Sequence, residues 1–70
     1  MKERTNLKLL RVSKKMTQQQ FSEAIGVKRS RYSLIETGAR NGSQQFWESV
    51  QAAFNIPDNE MFSLMKCDDV

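Results

Sequence analysis

Residues 28–34 of the chain (KRSRYSL) place polar and apolar side chains together on one face of a predicted helix. At about 100° per residue, four of these side chains share an arc of roughly 140°. They are Arg29, Ser30, Ser33 and Leu34. A guanidinium can donate to guanine, a hydroxyl can bond base edges or phosphate, and an aliphatic group can contact the thymine methyl. The spacing therefore predicts four contacts to base pairs in a DNA major groove.

Each of these assignments has a simpler alternative. Arg29 could bind a phosphate and carry no sequence information, whereas its planar fork suits guanine O6 and N7. Leu34 could pack against a second copy of the chain. The basic charges of this half of the chain could also form a solvated face, as a charge run often does.

Four further side chains are candidates for DNA phosphate contacts. Gln18 is the first residue of a predicted helix, where free backbone N–H groups and the positive end of the helix dipole attract anions. Lys28 and Arg31 flank the predicted base-contacting face, and Arg40 follows that helix in a loop. For Gln18 the alternative is an ordinary solvated residue of a first helical turn.

Two short helices separated by a glycine must position these side chains. Thr17 and Gln20 have the spacing of a capping box, in which each side chain bonds the backbone N–H of the other residue. Gly26 is expected to end that helix in the left-handed conformation, and Gly38 to end the next one. The pattern predicts a helix-turn-helix over about residues 17–37.

The residues of this segment also follow a known family pattern. They are Thr17, Gln18, Phe21, Ser22, Ile25, Gly26, Val27, Tyr32, Ile35, Glu36 and Gly38. The pattern resembles the lambdoid phage repressor and Cro family, also called the XRE family, from about Leu7 to Phe62. Three residues depart from it: Ser22 replaces the usual alanine, Tyr32 a β-branched aliphatic residue, and Lys28 a capping Ser or Thr.

The resemblance implies an all-α fold, a compact five-helix bundle in which helix 3 enters the major groove and helix 2 lies across it. It also implies a salt bridge between Arg11 on helix 1 and Glu36 near the end of helix 3. The alternative is two independent surface charges. We expect a single domain over residues 1–66, with residues 67–70 frayed.

Composition excludes several other classes of protein. The chain has no histidine and one cysteine, Cys67, so we expect no intramolecular disulfide, no metal site, no cofactor and no enzymatic activity. No apolar run is long enough for a membrane span, and the N-terminus lacks the apolar region of a signal peptide, which predicts a cytoplasmic protein. Residues 1–42 carry ten Lys or Arg against three Glu, a net charge of +7, whereas residues 43–70 carry one Lys against five Asp or Glu, a net charge of −4. The basic half suits a polyanion.

The remaining segments supply the predicted core. Helix 1 is expected to start with Thr5 or Asn6 as its N-cap. Ser43 is expected to cap helix 4, in which Trp47 is the chief core residue and Phe46 lies partly outside. The glycine at position 42, where many family members have proline, predicts a more flexible loop.

The last predicted helix, residues 58–65, has more apolar residues than we expect so short a helix to bury. Its apolar residues are Met61, Phe62, Leu64 and Met65. Methionines beside a phenylalanine suit an adaptable contact surface, so we predict a two-fold dimer through this helix. The alternative is a helix folded back over the core of its own chain.

Together these features predict a sequence-specific double-stranded DNA-binding transcriptional regulator, a repressor that binds a palindromic operator as a homodimer. An alternative is a protein-interaction module, such as the antitoxin of a toxin–antitoxin pair or an adaptor. Another is the controller protein of a restriction–modification system. The predicted partners are therefore double-stranded DNA, a second copy of the chain and, in the alternatives, another protein.

Overall fold

Five helices follow one another along the chain in the computed structural model, which describes residues 3–67. They are α1 (Thr5–Ser13), α2 (Gln18–Ile25), α3 (Arg29–Glu36), α4 (Gln44–Phe54) and α5 (Asp58–Met65). The described part contains no strand, and its principal extents are 29 × 27 × 23 Å. The predicted all-α five-helix bundle is confirmed. Within residues 3–67, no helix combines the length and the apolar character needed to cross a bilayer.

Local sequence signals set the helix ends of the helix-turn-helix. The Thr17 hydroxyl accepts from the Gln20 N–H at 3.1 Å, and the Gln20 side chain accepts from the Thr17 N–H at 2.9 Å, which completes the capping box. Gly26 ends α2 with φ of +78°, and Gly38 follows α3 with φ of +84°. Ser43 caps α4 by accepting from the Phe46 N–H at 3.1 Å. These expectations are confirmed.

Helix α1 begins differently from the prediction. Its N-cap is Arg4, which makes no side-chain cap, so the assignment of Thr5 or Asn6 as N-cap is wrong. The reason is a tertiary contact: the Arg4 backbone N–H donates to the carbonyl of Glu36 at 2.9 Å, which fixes where the chain enters α1.

Aromatic rings fill the centre of the bundle. The Phe21 and Tyr32 ring centroids are 4.9 Å apart, and both side chains are fully buried. Phe46, expected to lie partly outside, is 2 % exposed, less than Trp47 at 6 %. The expectation fails because the Phe46 ring packs edge-on against Trp47, with centroids 4.8 Å apart, and also faces Tyr32.

The loop before α4 is packed against these rings. A Cβ atom built on Gly42 would lie 2.6 Å from Trp47 Nε1 and 2.8 Å from Phe46 Cδ1. Glycine therefore permits a close approach of the backbone to the core here. The backbone at Gly42 therefore packs against these two rings, and the added flexibility of the loop stays a prediction.

Helix α5 divides its apolar residues between the core and the surface. Met61 and Leu64, three residues apart, are each 7 % exposed and belong to the core, whereas Phe62 is 76 % exposed and Met65 42 %. The prediction that Met61 and Leu64 form a dimer contact is corrected, because this chain already buries both side chains. Of the predicted frayed tail, residues 68–70 lie outside the described residues.

Candidate nucleic-acid interface

Helix α3 presents one face to the core and the opposite face to solvent. Tyr32 and Ile35 are buried at 0 and 1 % exposure and anchor the inner face. The outer face carries the four side chains predicted to contact bases. Arg29 and Ser30 are exposed, Leu34 is 40 % exposed and Ser33 is half-buried. The structure thus brings a guanidinium, two hydroxyls and an aliphatic group together on an accessible helix.

The carboxylate of Glu36 holds this helix in place. Arg11 donates from Nε to Oε2 at 3.0 Å and from Nη2 to Oε1 at 3.3 Å, so the structure brings together the two residues expected to pair. The Tyr32 hydroxyl also donates to Oε2, and the Gln18 amide donates to Oε1 at 3.3 Å. One carboxylate therefore joins α1, the start of α2 and the end of α3.

The protonation of this cluster follows from its geometry. Burial alone would raise the pKa of Glu36, but the hydrogen bonds from Arg11, Tyr32 and Gln18 outweigh it, and the net pKa is lowered. Burial raises the pKa of Tyr32, and its hydrogen bond to Glu36 adds to the rise. Near neutral pH the cluster therefore contains an ionised carboxylate and a neutral phenol.

The four candidate phosphate contacts occupy different environments. Lys28 and Arg40 are exposed, and Arg31 is exposed with a hydrogen bond from Nη2 to the Ser43 hydroxyl at 3.3 Å. Gln18 is half-buried, and its amide points to Glu36. Its second amide hydrogen and its side-chain oxygen are left for other partners. An anion that contacts Gln18 would therefore meet an amide already oriented by Glu36.

Comparison with known proteins identifies this arrangement. A model of a helix-turn-helix family matches residues 7–61, which include α2, α3 and the turn between them. The chain belongs to the XRE-type helix-turn-helix family. No curated protein matches it, and neither does any solved structure.

Membership of the XRE-type family gives α3 its role. The protein is a DNA-binding transcriptional regulator of XRE type. In a helix-turn-helix the second helix is the recognition helix, and α3 is that helix here. The family match begins at residue 7, so it leaves out a second residue that holds the end of α3.

That residue is Arg4, which the sequence did not indicate. It is 4 % exposed, and its side chain has no carboxylate partner among residues 3–67. Nη1 donates to the carbonyls of Ile35 at 2.6 Å and Arg40 at 2.9 Å, and Nε donates to the carbonyl of Met65 at 3.1 Å. Nothing in the sequence distinguishes Arg4 from the other cations of the N-terminal segment, because its acceptors are mainly backbone groups brought together by folding.

Proposed function

We propose that the protein is a sequence-specific repressor that binds double-stranded DNA with α3 in the major groove. The observation that carries the proposal is the outer face of α3, where Arg29, Ser30 and Leu34 are exposed while Tyr32 and Ile35 anchor the helix from behind. Arg29 reads guanine through its two donors, and Leu34 contacts a thymine methyl. Ser30 and Ser33 bond base edges.

Phosphate contacts supply most of the affinity in this proposal. Lys28, Arg31 and Arg40 are exposed cations on or next to α3, and Gln18 lies at the start of α2. Each phosphate neutralised by a cation releases counterions, so binding weakens as salt is added. The acidic half of the sequence, with its net charge of −4, is repelled by the phosphates of the duplex.

The proposal includes a homodimer on a palindromic operator in the cytoplasm. Phe62 and Met65 are the exposed apolar residues of α5, and they are our candidates for the contact between copies. Two copies would place their recognition helices in successive major grooves, about 34 Å apart. Two-fold symmetry of the protein would then match two half-sites of the operator.

Selection of bound sites from random duplex DNA tests the proposal, followed by titration of two variants on the selected duplex. Arg29→Ala should relax the preference at one base pair by about 1–3 kcal/mol. Lys28→Ala is the matched control and should weaken binding equally for all sequences, with the salt slope falling by about one. If selection gives no consensus and the two variants behave alike, Arg29 is only a phosphate contact.

A second candidate function uses a different surface. A groove of about 540 Å³ lies between α4 and α5, with Trp47, Met61, Phe62 and Met65 among its apolar lining residues. Glu48 and Asp58 also line it, and none of the described Lys or Arg residues does. The acidic lining favours a basic protein partner over the same acidic surface of a second copy, as in an antitoxin, an adaptor or a controller of a restriction–modification system.

Phe62→Ser separates the two uses of α5. Because Phe62 is 76 % exposed, the variant should fold as the wild type does. If α5 forms the homodimer, the variant should sediment as a monomer and bind a full operator more weakly than the wild type. If the variant keeps its mass and its affinity for DNA, Phe62 does not form the contact between copies.

A further inference from the structure

We propose that Arg4 is a positioning residue for DNA binding, which fixes the loop carrying Arg40 against the end of the recognition helix. The inference rests on the proposed function, in which Arg40 contacts a phosphate. Arg4 lies outside the matched residues 7–61, so this role comes from the structure of this chain and not from the family match.

Two hydrogen bonds hold the backbone of Arg40. Its N–H donates to the carbonyl of Leu34 in α3 at 3.1 Å, and its carbonyl accepts from Arg4 Nη1 at 2.9 Å. Arg4 Nη2 also donates to Oδ1 of the following residue, Asn41, at 3.2 Å. The loop residue that carries the proposed phosphate contact is thus tied to α3 on one side and to Arg4 on the other.

The same arginine caps the end of α3. Its backbone N–H donates to the carbonyl of Glu36 at 2.9 Å, and Nη1 donates to the carbonyl of Ile35 at 2.6 Å. Carbonyls in the last turn of a helix lack intrahelical partners, and the helix dipole makes that end negative. A buried cation is therefore well placed here without a carboxylate.

Helices α4 and α5 also hold the Arg4 side chain. Its Nε donates to the carbonyl of Met65 at the end of α5, and its guanidinium lies 5.5 Å from the centroid of the Trp47 ring. A guanidinium can satisfy these directions together because its donors are coplanar and diverge. A lysine has one nitrogen and cannot reach all of these acceptors, which makes Arg4→Lys a charge-conserving test.

Positioning matters for a phosphate contact from a loop. A long side chain on a mobile loop loses conformational freedom when it binds, and that loss lowers the affinity. Holding the Arg40 backbone before DNA arrives removes part of this cost. Loss of Arg4 should therefore weaken the contact made by Arg40 and leave contacts at the start of α3 unchanged.

A double-mutant cycle on the selected duplex tests the proposal. The variants are Arg4→Lys, Arg40→Ala and their combination, with Kd measured at several salt concentrations and at a temperature where circular dichroism shows each variant folded. We expect each single variant to lose affinity several-fold and to lower the salt slope by up to about one. The combination should be no weaker than Arg40→Ala alone. The control combines Arg4→Lys with Lys28→Ala. Because Lys28 does not depend on Arg4, the fold losses in affinity of these two variants should multiply in the combination.

Two further measurements guard against a purely structural effect. Asn41→Ala removes one Arg4 contact from an exposed residue and should give a smaller loss of the same kind. Hydrogen exchange of the Arg40 amide in the free protein should speed up in Arg4→Lys, which reports the loop without DNA.

The proposal is overturned if Arg4→Lys lowers the melting temperature but leaves Kd and the salt slope unchanged. It is also overturned if the Arg4 and Arg40 losses multiply. Both results require a wild-type protein that binds the duplex, so they leave the proposed function standing. A wild-type protein with no salt-dependent binding to any duplex overturns the proposed function, and this proposal with it.

Discussion

Two arginines at opposite ends of α1 hold the end of the recognition helix α3, each by a different chemistry. Arg11, in the last turn of α1, pairs with the carboxylate of Glu36. Arg4, just before α1, donates to backbone carbonyls and to the amide oxygen of Asn41. Both arginines are largely withdrawn from water, since the Arg11 side chain is 13 % exposed and Arg4 as a residue is 4 % exposed.

The two solutions differ in what they require of the rest of the chain. The ion pair needs one residue of opposite charge, and that carboxylate then also accepts from Tyr32 and Gln18. The Arg4 site contains no carboxylate from the described part of the chain, but it needs the ends of α3 and α5 to be in place. The first fixes α3 through its side chains, and the second fixes α3 through its backbone.

The largest expected effect comes from removing the shared carboxylate. Glu36→Ala leaves the Arg11 guanidinium with only the Met16 carbonyl and the Tyr32 hydroxyl without its carboxylate, and we expect it to lower the free energy of unfolding by about 3–5 kcal/mol. Urea denaturation followed by circular dichroism measures the change. Glu23→Ala, at an exposed position of α2, is the matched control and should stay within about 0.5 kcal/mol of the wild type. A loss from Glu36→Ala as small as that of the control would contradict the central role of this carboxylate.

A smaller loss in the free energy of unfolding is expected from changing Arg4. Arg4→Met keeps much of the apolar stem but removes every donor, leaving the carbonyls of Ile35 and Arg40 short of a partner. We expect a loss of about 2 kcal/mol, because water can reach some of these oxygens once the guanidinium is gone. The same denaturation experiment, with the exposed Lys8→Met as control, measures it. The comparison between the two sites breaks if Arg4→Met costs more than Glu36→Ala.

Much of the fold could be predicted because its signals are local. The Thr17 and Gln20 capping box, the left-handed Gly26 and the Ser43 cap each depend on residues a few positions apart. The outward face of α3 followed from helical spacing. The family resemblance, not the spacing, suggested the pairing of Arg11 with Glu36.

The remainder depends on how distant segments pack. Phe46 sits inside because α4 turns it toward Tyr32 and Trp47, which sequence spacing does not fix. The core takes up Met61 and Leu64 because α5 packs against α1. Arg4 left no signal, because carbonyl acceptors are present at every residue and only the folded chain selects which ones converge.

The smallest expected effect sharpens the comparison by pH. Because the pKa of Glu36 is lowered on folding, the unfolded chain binds more protons in acid. The stability that this carboxylate contributes is therefore fully present above its unfolded pKa of about 4.3 and is lost as pH falls through the lower folded pKa.

The test is the difference in stability between wild type and variants, measured by urea denaturation from neutral pH into acid. The free energy of unfolding of the wild type exceeds that of Glu36→Gln, and this difference should shrink below about pH 4. Its slope should be no more than about 1.4 kcal/mol per pH unit, because one proton is involved. The difference in free energy of unfolding between wild type and Arg4→Met should stay constant, because the carbonyl and amide oxygens that Arg4 contacts do not titrate in this range. If both differences shrank together, the contribution of Arg4 would depend on the Glu36 carboxylate. The two sites would then be energetically coupled and not independent.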